Sequence, residues 1–132
     1  NAGPLGGPGF PEWGMLPIPK ALIKQGHRDM LRISDARMSG TAFGTIVLHI
    51  SPEAGAGGPL AAVRNGDRIR LSVKDKSIDL LVPDQQIANR LGEFAPLEGH
   101  KRGYRALYER AVLQAPDGCD FDFLTQSGKT RK

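Results

Sequence analysis

Cysteine occurs once in these 132 residues, at position 119. A single thiol forms no internal disulfide, fits a reducing cytoplasmic setting, and supplies too few ligands for a zinc or iron–sulfur site of its own. Long apolar runs are missing too. Nothing approaches the ~20 residues that a membrane helix needs, so no membrane partner is expected. Aromatic residues make up only 6% of the chain, and 18 Lys and Arg against 14 Asp and Glu leave a mild +4. Nucleic-acid modules gather basic residues with aromatic stacking platforms. Here the charges are interleaved, which predicts a solvated surface and no nucleic-acid partner.

Glycine is abundant, at 17 residues. It concentrates in residues 3–14, 40–44 and 55–58 without any repeat, which predicts three ordered loops. The chain opens at Asn1 in what already reads as a loop, with no Met or targeting pattern, and so reads as a piece of a longer protein. Its length is that of one domain.

Between the loops the pattern is mixed. Pro19 suits the start of a short helix carrying Leu22 and Ile23, with Gly26 as its stop. Met30 to Ser34 and Thr45 to Ile50 read as strands. After the third loop comes a short apolar stretch, Leu60 to Val63, and Asn65-Gly66 is a turn signal. Ile69, Leu71 and Val73, then Ile78, Leu80 and Val82, alternate with polar residues, which predicts a hairpin with Asp75-Lys76 at its tip. Asp84 is a candidate cap for a helix ending near Gly92. Lys101 to Gln114 reads as an amphipathic helix whose apolar face is Tyr104, Leu107, Tyr108, Ala111 and Val112. An acidic-aromatic segment, Asp117 to Leu124, leads into a polar tail at 125–132. The fold class expected is a small, β-rich α+β domain, a mixed sheet or partly closed barrel with flanking helices.

Candidate chemistry gathers in the stretch Ile33-Ser-Asp-Ala-Arg-Met-Ser-Gly-Thr-Ala-Phe-Gly-Thr45, where Ser39 and Thr41 stand among glycines. A nucleophilic serine needs an oriented base. Of the three histidines, His49 falls in an expected strand and neither His27 nor His100 has an evident partner. Met38-Ser39-Gly40 also lacks the glycine two positions earlier that a nucleophile elbow carries. A hydrolase triad is therefore disfavoured, and a turn-capping role for Ser39 stays open. Glu12 is the only carboxylate of the first loop, either an exposed glutamate or one ligand of a hard metal that needs further oxygens. Asp35 and Arg37 are expected to pair as a structural anchor. The local excess of Arg28, Arg32 and Arg37 over Asp29 and Asp35 favours an acidic small substrate.

Several ordered pieces together resemble the C-terminal domain of the dihydroxy-acid and sugar-acid dehydratase family. They are Asn1-Ala-Gly-Pro-Leu-Gly-Gly-Pro-Gly-Phe-Pro-Glu-Trp13, Ser34-Asp-Ala-Arg-Met-Ser-Gly-Thr41, His49-Ile-Ser-Pro-Glu-Ala54, Gly57-Gly-Pro-Leu60 and Asn65-Gly-Asp-Arg-Ile69. The resemblance runs from residue 1 to about 124. Pro11-Glu-Trp-Gly-Met-Leu-Pro-Ile-Pro19, Met38-Ser-Gly-Thr-Ala-Phe-Gly44 and Gly118-Cys-Asp-Phe-Asp-Phe-Leu124 are most similar to its pentonate (arabinonate or xylonate) branch. The family's usual Asp-Gly-Arg is Asp35-Ala36-Arg37 here.

This resemblance implies a swivelling, barrel-like β/β/α domain that dehydrates a 2,3-dihydroxy acid to a 2-keto acid. It implies Mg²⁺ and an iron–sulfur cluster of two-iron or four-iron type as cofactors. Carried over by motif, Ser39 is the base, Thr41 supports it, and Glu12 is one Mg²⁺ ligand. The cluster cysteines, a modified lysine and the other Mg²⁺ ligands would belong to the protein's own N-terminal domain, leaving the isolated piece inactive. The full-length form would be a homo-oligomer, with apolar surface left exposed on this piece alone, and Cys119 a bystander. Two other readings remain: the branched-chain dihydroxyacid or phosphogluconate branch of the family, and a non-catalytic small-ligand or protein-binding module.

Overall fold

The computed structural model describes residues 2–6, 16–38, 43–96 and 98–125. Pro19 precedes a short helix, α1 (Lys20–Lys24), and the chain leaves it through Gly26 at φ +89°. Two short strands follow, β1 (Arg32–Ile33) and β2 (Ile46–Val47), paired in parallel with Arg32 opposite Ile46 and Ile33 opposite Val47. Parallel neighbours need a crossover of a dozen or so residues. Residues 34–45 link the two strands, of which 34–38 and 43–45 are described.

The hairpin forms at its expected place, as β3 (Ile69–Ser72) and β4 (Ser77–Leu80) in antiparallel register, with Leu71 opposite Ile78. Gly66 supplies the left-handed turn before it, at φ +89°. Val73 departs from the expected pattern. It lies in the turn and is 86% exposed, because the tip is closed by the Ser72 hydroxyl donating to Asp75 at 2.7 Å rather than by a further apolar pair. Ile33, Ile50, Pro59, Leu60, Val63, Ile69, Ile78 and Leu80 converge between the two sheets.

Helix α2 (Asp84–Gly92) ends where expected, but Asp84 does not cap it. Pro83 occupies the cap and Asp84 is the first helical residue, where its charge complements the helix dipole. The helix is fastened by Arg90, which donates to the Ala62 carbonyl at 3.0 Å and to Asp67 at 2.6 Å. Helix α3 is shorter than expected, Gly103–Ala111, because Val112 turns extended and bridges to Phe121. Its buried side keeps Tyr108 and Ala111 of the expected face but differs in the rest. Ala106, Tyr108 and Ala111 are covered, whereas Tyr104 is 64% exposed and Leu107 44%.

The core is built mainly from small residues, with Ala36 and Ala62 fully covered and Ala54, Ala106 and Ala111 nearly so. Small side chains let loop backbones approach closely. Ile23, Leu31, Phe43, Leu81, Phe123 and Leu124 are substantially exposed. The architecture is a mixed helix-and-strand α+β unit whose described strands form two separate two-stranded sheets. No described helix is long and apolar enough to cross a membrane.

Candidate active site

Glu12, Ser39 and Thr41 fall outside the described residues, in the runs 7–15 and 39–42. The structure does describe the residues at both ends of each run, and these ends are held by a dense set of polar contacts.

The entry to the first run is held by two buried carboxylates. Asp35, 2% exposed, accepts from the Ala2 N–H at 3.0 Å and the Ala54 N–H at 2.8 Å. Glu53, 1% exposed, accepts from Leu5 N–H at 2.9 Å, Gly6 N–H at 3.0 Å and the Gln114 side-chain amide at 2.8 Å. Gln114 returns an acceptor to the Glu53 N–H at 2.8 Å. A carboxylate this deep is costly without such donors, and charge-assisted bonds to backbone N–H groups offset the loss of water. Gly3 is required here, since a Cβ on it would fall on the Glu53 side chain.

Asp35 and Arg37 do not form the expected ion pair. Asp35 is taken up by two backbone N–H groups, while Arg37 donates to the Gly118 carbonyl at 2.9 Å. The Ser34 hydroxyl accepts from Ala36 N–H at 3.0 Å, so a serine does close this turn, five residues before Ser39.

The second run enters from Met38, which is buried, and whose N–H donates to Nε2 of His49 at 3.4 Å. His49 itself adopts φ +59° and donates its own N–H to Ala36 carbonyl at 3.0 Å. The run leaves through Phe43, Gly44 and Thr45. Asp29 accepts from both the N–H and the hydroxyl of Thr45, at 3.0 and 2.8 Å. The Thr45 and Met30 N–H groups, with Arg32 nearby, hold the Asp29 carboxyl below its ordinary value. Arg32 donates to the carbonyls of Leu16 and Phe43.

Of the three arginines that suggested an acidic substrate, Arg32 and Arg37 are thus occupied by backbone carbonyls. Arg28 alone lines an open hollow of about 490 Å³, together with Ile18, Ile23, His27 and Phe43. Among the described residues no three His, Cys, Asp or Glu side chains gather to hold a metal. Glu12 lies outside the described residues, and no step through a hard cation is derived from these residues.

On the far side of Glu53, Tyr108 is 1% exposed and its hydroxyl has no hydrogen-bond partner among the described residues. Burial, with Cys119 and Glu53 nearby, pushes the phenol up to about 12. Burial also pushes the Cys119 thiol up, against an opposing hydrogen bond from Arg37.

Sequence reasoning counted Arg32 and Asp29 only in a local charge balance and gave Glu53 no role. Glu53 did stand within the quoted His49-Ile-Ser-Pro-Glu-Ala54 segment, and its position after a proline and before a glycine-rich loop was the available signal.

Residues 1–119 match the family model described as dihydroxy-acid/6-phosphogluconate dehydratase C-terminal. The chain is 54% identical over 130 residues to 6-deoxy-6-sulfo-D-gluconate dehydratase of Pseudomonas putida, covering 98% of this chain and 22% of that protein. It is 51% identical over 131 residues to L-arabonate dehydratase of Azospirillum brasilense, covering 94% of this chain and 22% of that protein. Dihydroxy-acid dehydratase of Methanoregula boonei is 40% identical over 119 residues, covering 90% of this chain and 21% of that protein. The chain therefore spans about a fifth of the length of these relatives.

Proposed function

The chain belongs to the dihydroxy-acid/6-phosphogluconate dehydratase C-terminal family, and on that premise we propose that it is the C-terminal part of a hydro-lyase acting on a sugar acid. The reaction removes water from a 2,3-dihydroxy acid to give a 2-keto-3-deoxy acid. Ser39, acting as its alkoxide, takes the proton from C2. The C2–H electron pair becomes the C2=C3 bond as the C3–O bond breaks, and the departing hydroxide takes the proton back from the Ser39 hydroxyl to leave as water. The enol that results tautomerises to the ketone. Thr41 supports Ser39 by hydrogen bonding, and Glu12 offers one ligand to Mg²⁺. When bound, Mg²⁺ and an iron–sulfur cluster supply positive charge beside the carboxylate and a Lewis acid for the departing hydroxyl.

One observation supports this reading above the others. Identity is 51–54% to relatives named as sugar-acid dehydratases and 40% to one named dihydroxy-acid dehydratase. The contacts around runs 7–15 and 39–42 are also what such chemistry requires, because a serine base and a metal ligand act only when their loops are fixed relative to each other. The remaining metal ligands, the cluster cysteines and a modified lysine are assigned to the protein's own N-terminal domain. The complete protein is taken to be a cytoplasmic homo-oligomer, with residues 1–124 as a swivelling, barrel-like domain and 125–132 as a polar tail. By itself this piece would be inactive.

The test is made on the full-length protein. Arabonate, xylonate, 6-deoxy-6-sulfogluconate and 2,3-dihydroxyisovalerate are compared by kcat/KM, for the parent and for Ser39→Ala. The expected result is turnover of a sugar acid that Ser39→Ala abolishes while the visible absorbance of the cluster persists. A preference for dihydroxyisovalerate would move the protein to the branched-chain reading, and substantial activity in Ser39→Ala would remove the serine as base.

A further inference from the structure

Arg32 stands on β1 between the two runs that carry the proposed site residues. Its side chain is 10% exposed, and its guanidinium is spent on backbone carbonyls. One terminal nitrogen donates to the Leu16 carbonyl at 2.5 Å, the other to the Phe43 carbonyl, and Nε to the Met30 carbonyl at 3.3 Å. Leu16 is the first described residue after run 7–15, and Phe43 the first after run 39–42. A single planar group therefore joins the exits of both.

The surroundings are shaped to hold that group. Gly44 sits at φ +86°, and a Cβ there would fall on the Asp29 carboxylate and the Arg32 guanidinium. Asp29 lies 3.9 Å from Arg32 and fixes Thr45, the next residue along. Of the two, only Arg32 reaches Leu16. A rigid fork with several donors suits two carbonyls on separate segments, which a single flexible ammonium matches poorly.

We infer that Arg32 is a positioning residue: it clamps Leu16, at the exit of the Glu12 run, to Phe43, at the exit of the Ser39 run, and so sets the separation of those two exits. The clamp itself is independent of the reaction, but its catalytic consequence rests on the roles proposed for Glu12 and Ser39.

The experiment uses the full-length protein and hydrogen–deuterium exchange, read in peptides spanning residues 16–28 and 43–50, with the hairpin at 68–82 as reference. Arg32→Met is expected to speed exchange in both peptides, roughly tenfold, and to leave the hairpin unchanged. Asp29→Asn, which touches Thr45 but not Leu16, should speed exchange in 43–50 only. Turnover in Arg32→Met should fall about 10²-fold with the cluster absorbance intact, as expected when reacting groups are held but misplaced. A response confined to one peptide, or an equal response of 16–28 to Asp29→Asn, overturns the clamp. Should Arg32→Met loosen the whole domain, Arg32→Lys is judged by the same two-peptide criterion. A normal kcat alongside the two-peptide response overturns the positioning role in catalysis. Activity surviving in Ser39→Ala would instead count against the proposed base and leave the exchange result standing.

Discussion

Glu53 and Gln114, 61 residues apart in sequence, exchange two hydrogen bonds of 2.8 Å, one from the Glu53 N–H and one to its carboxylate. The rest of the same carboxylate receives the N–H groups of Leu5 and Gly6. One buried side chain thus ties the start of the chain to the segment that follows α3. Replacing it by Gln swaps an acceptor oxygen for an NH₂ that faces donors. Glu53→Gln is expected to cost about 1–3 kcal/mol, visible as a lowered melting temperature. A melting temperature equal to that of the parent would mean that the donors find other partners and that Glu53 does not organise this region.

Backbone proximity makes a second, sharper comparison possible between two glycines. A Cβ on Gly58 would fall on the Pro52 carbonyl, so Gly58→Ala has to move backbone and should cost about 1–3 kcal/mol. Gly66 has a positive φ of 89° but open space around it, leaving only the left-handed penalty of about 1–2 kcal/mol. Thermal melts of the two variants should therefore rank Gly58→Ala as at least the more damaging. The opposite order would mean that the 51–58 loop relaxes freely.

How much of this was legible beforehand depended on range in sequence. The hairpin was readable because Ile69, Leu71, Ile78 and Leu80 alternate within a dozen residues, and Gly26 and Gly66 marked left-handed turns. The pattern failed where a partner lay far away. Glu53 finds Leu5 and Gln114 across 48 and 61 residues, and its place between a proline and a glycine-rich loop does not by itself name those partners. Arg32 looked like one of several surface cations. Asp35 and Arg37 looked like a pair because they are two apart, yet each found a backbone partner 19 or more residues away. On α3, the helical spacing was right, and Tyr108 and Ala111 are covered as expected. Ala106, however, is covered in place of Tyr104 and Leu107 because the returning 119–122 segment packs there, with Phe121 edge-on to Tyr108 at 5.9 Å. The candidate site was legible only as motif, since Glu12, Ser39 and Thr41 gain their meaning from resemblance.

Acid should expose the anchor of α2. Hydrogen bonds from Arg90, and then from the Arg64 N–H, hold the Asp67 carboxyl below its ordinary 3.8. A carboxyl lowered on folding contributes stability that is complete above the unfolded value and lost as pH falls through the folded one. The melting temperature of the parent should thus exceed that of Asp67→Asn at neutral pH, and the gap should close as pH drops below about 4. A gap that stays constant down to strong acid would show that Asp67 contributes through shape rather than charge.

Tyr108 offers the opposite kind of test, in which removing a polar atom should do no harm. Its ring is well used, packed against Tyr104 at 6.3 Å and Phe121 at 5.9 Å between centroids, yet its hydroxyl is buried with no partner among the described residues. A buried hydroxyl left unsatisfied costs about 1–3 kcal/mol, and deleting it returns part of that while the ring contacts stay in place. Tyr108→Phe is therefore expected to match or exceed the parent in melting temperature. Tyr108→Ala, which removes the ring as well, should lose about 3–5 kcal/mol, the usual cost of an aromatic deletion in a core. The pair is informative because the two substitutions differ only in whether the ring remains. If Tyr108→Phe melts clearly below the parent, the hydroxyl is satisfied in solution by a bound water or a neighbour, and the pocket between Glu53 and Cys119 is polar rather than dry.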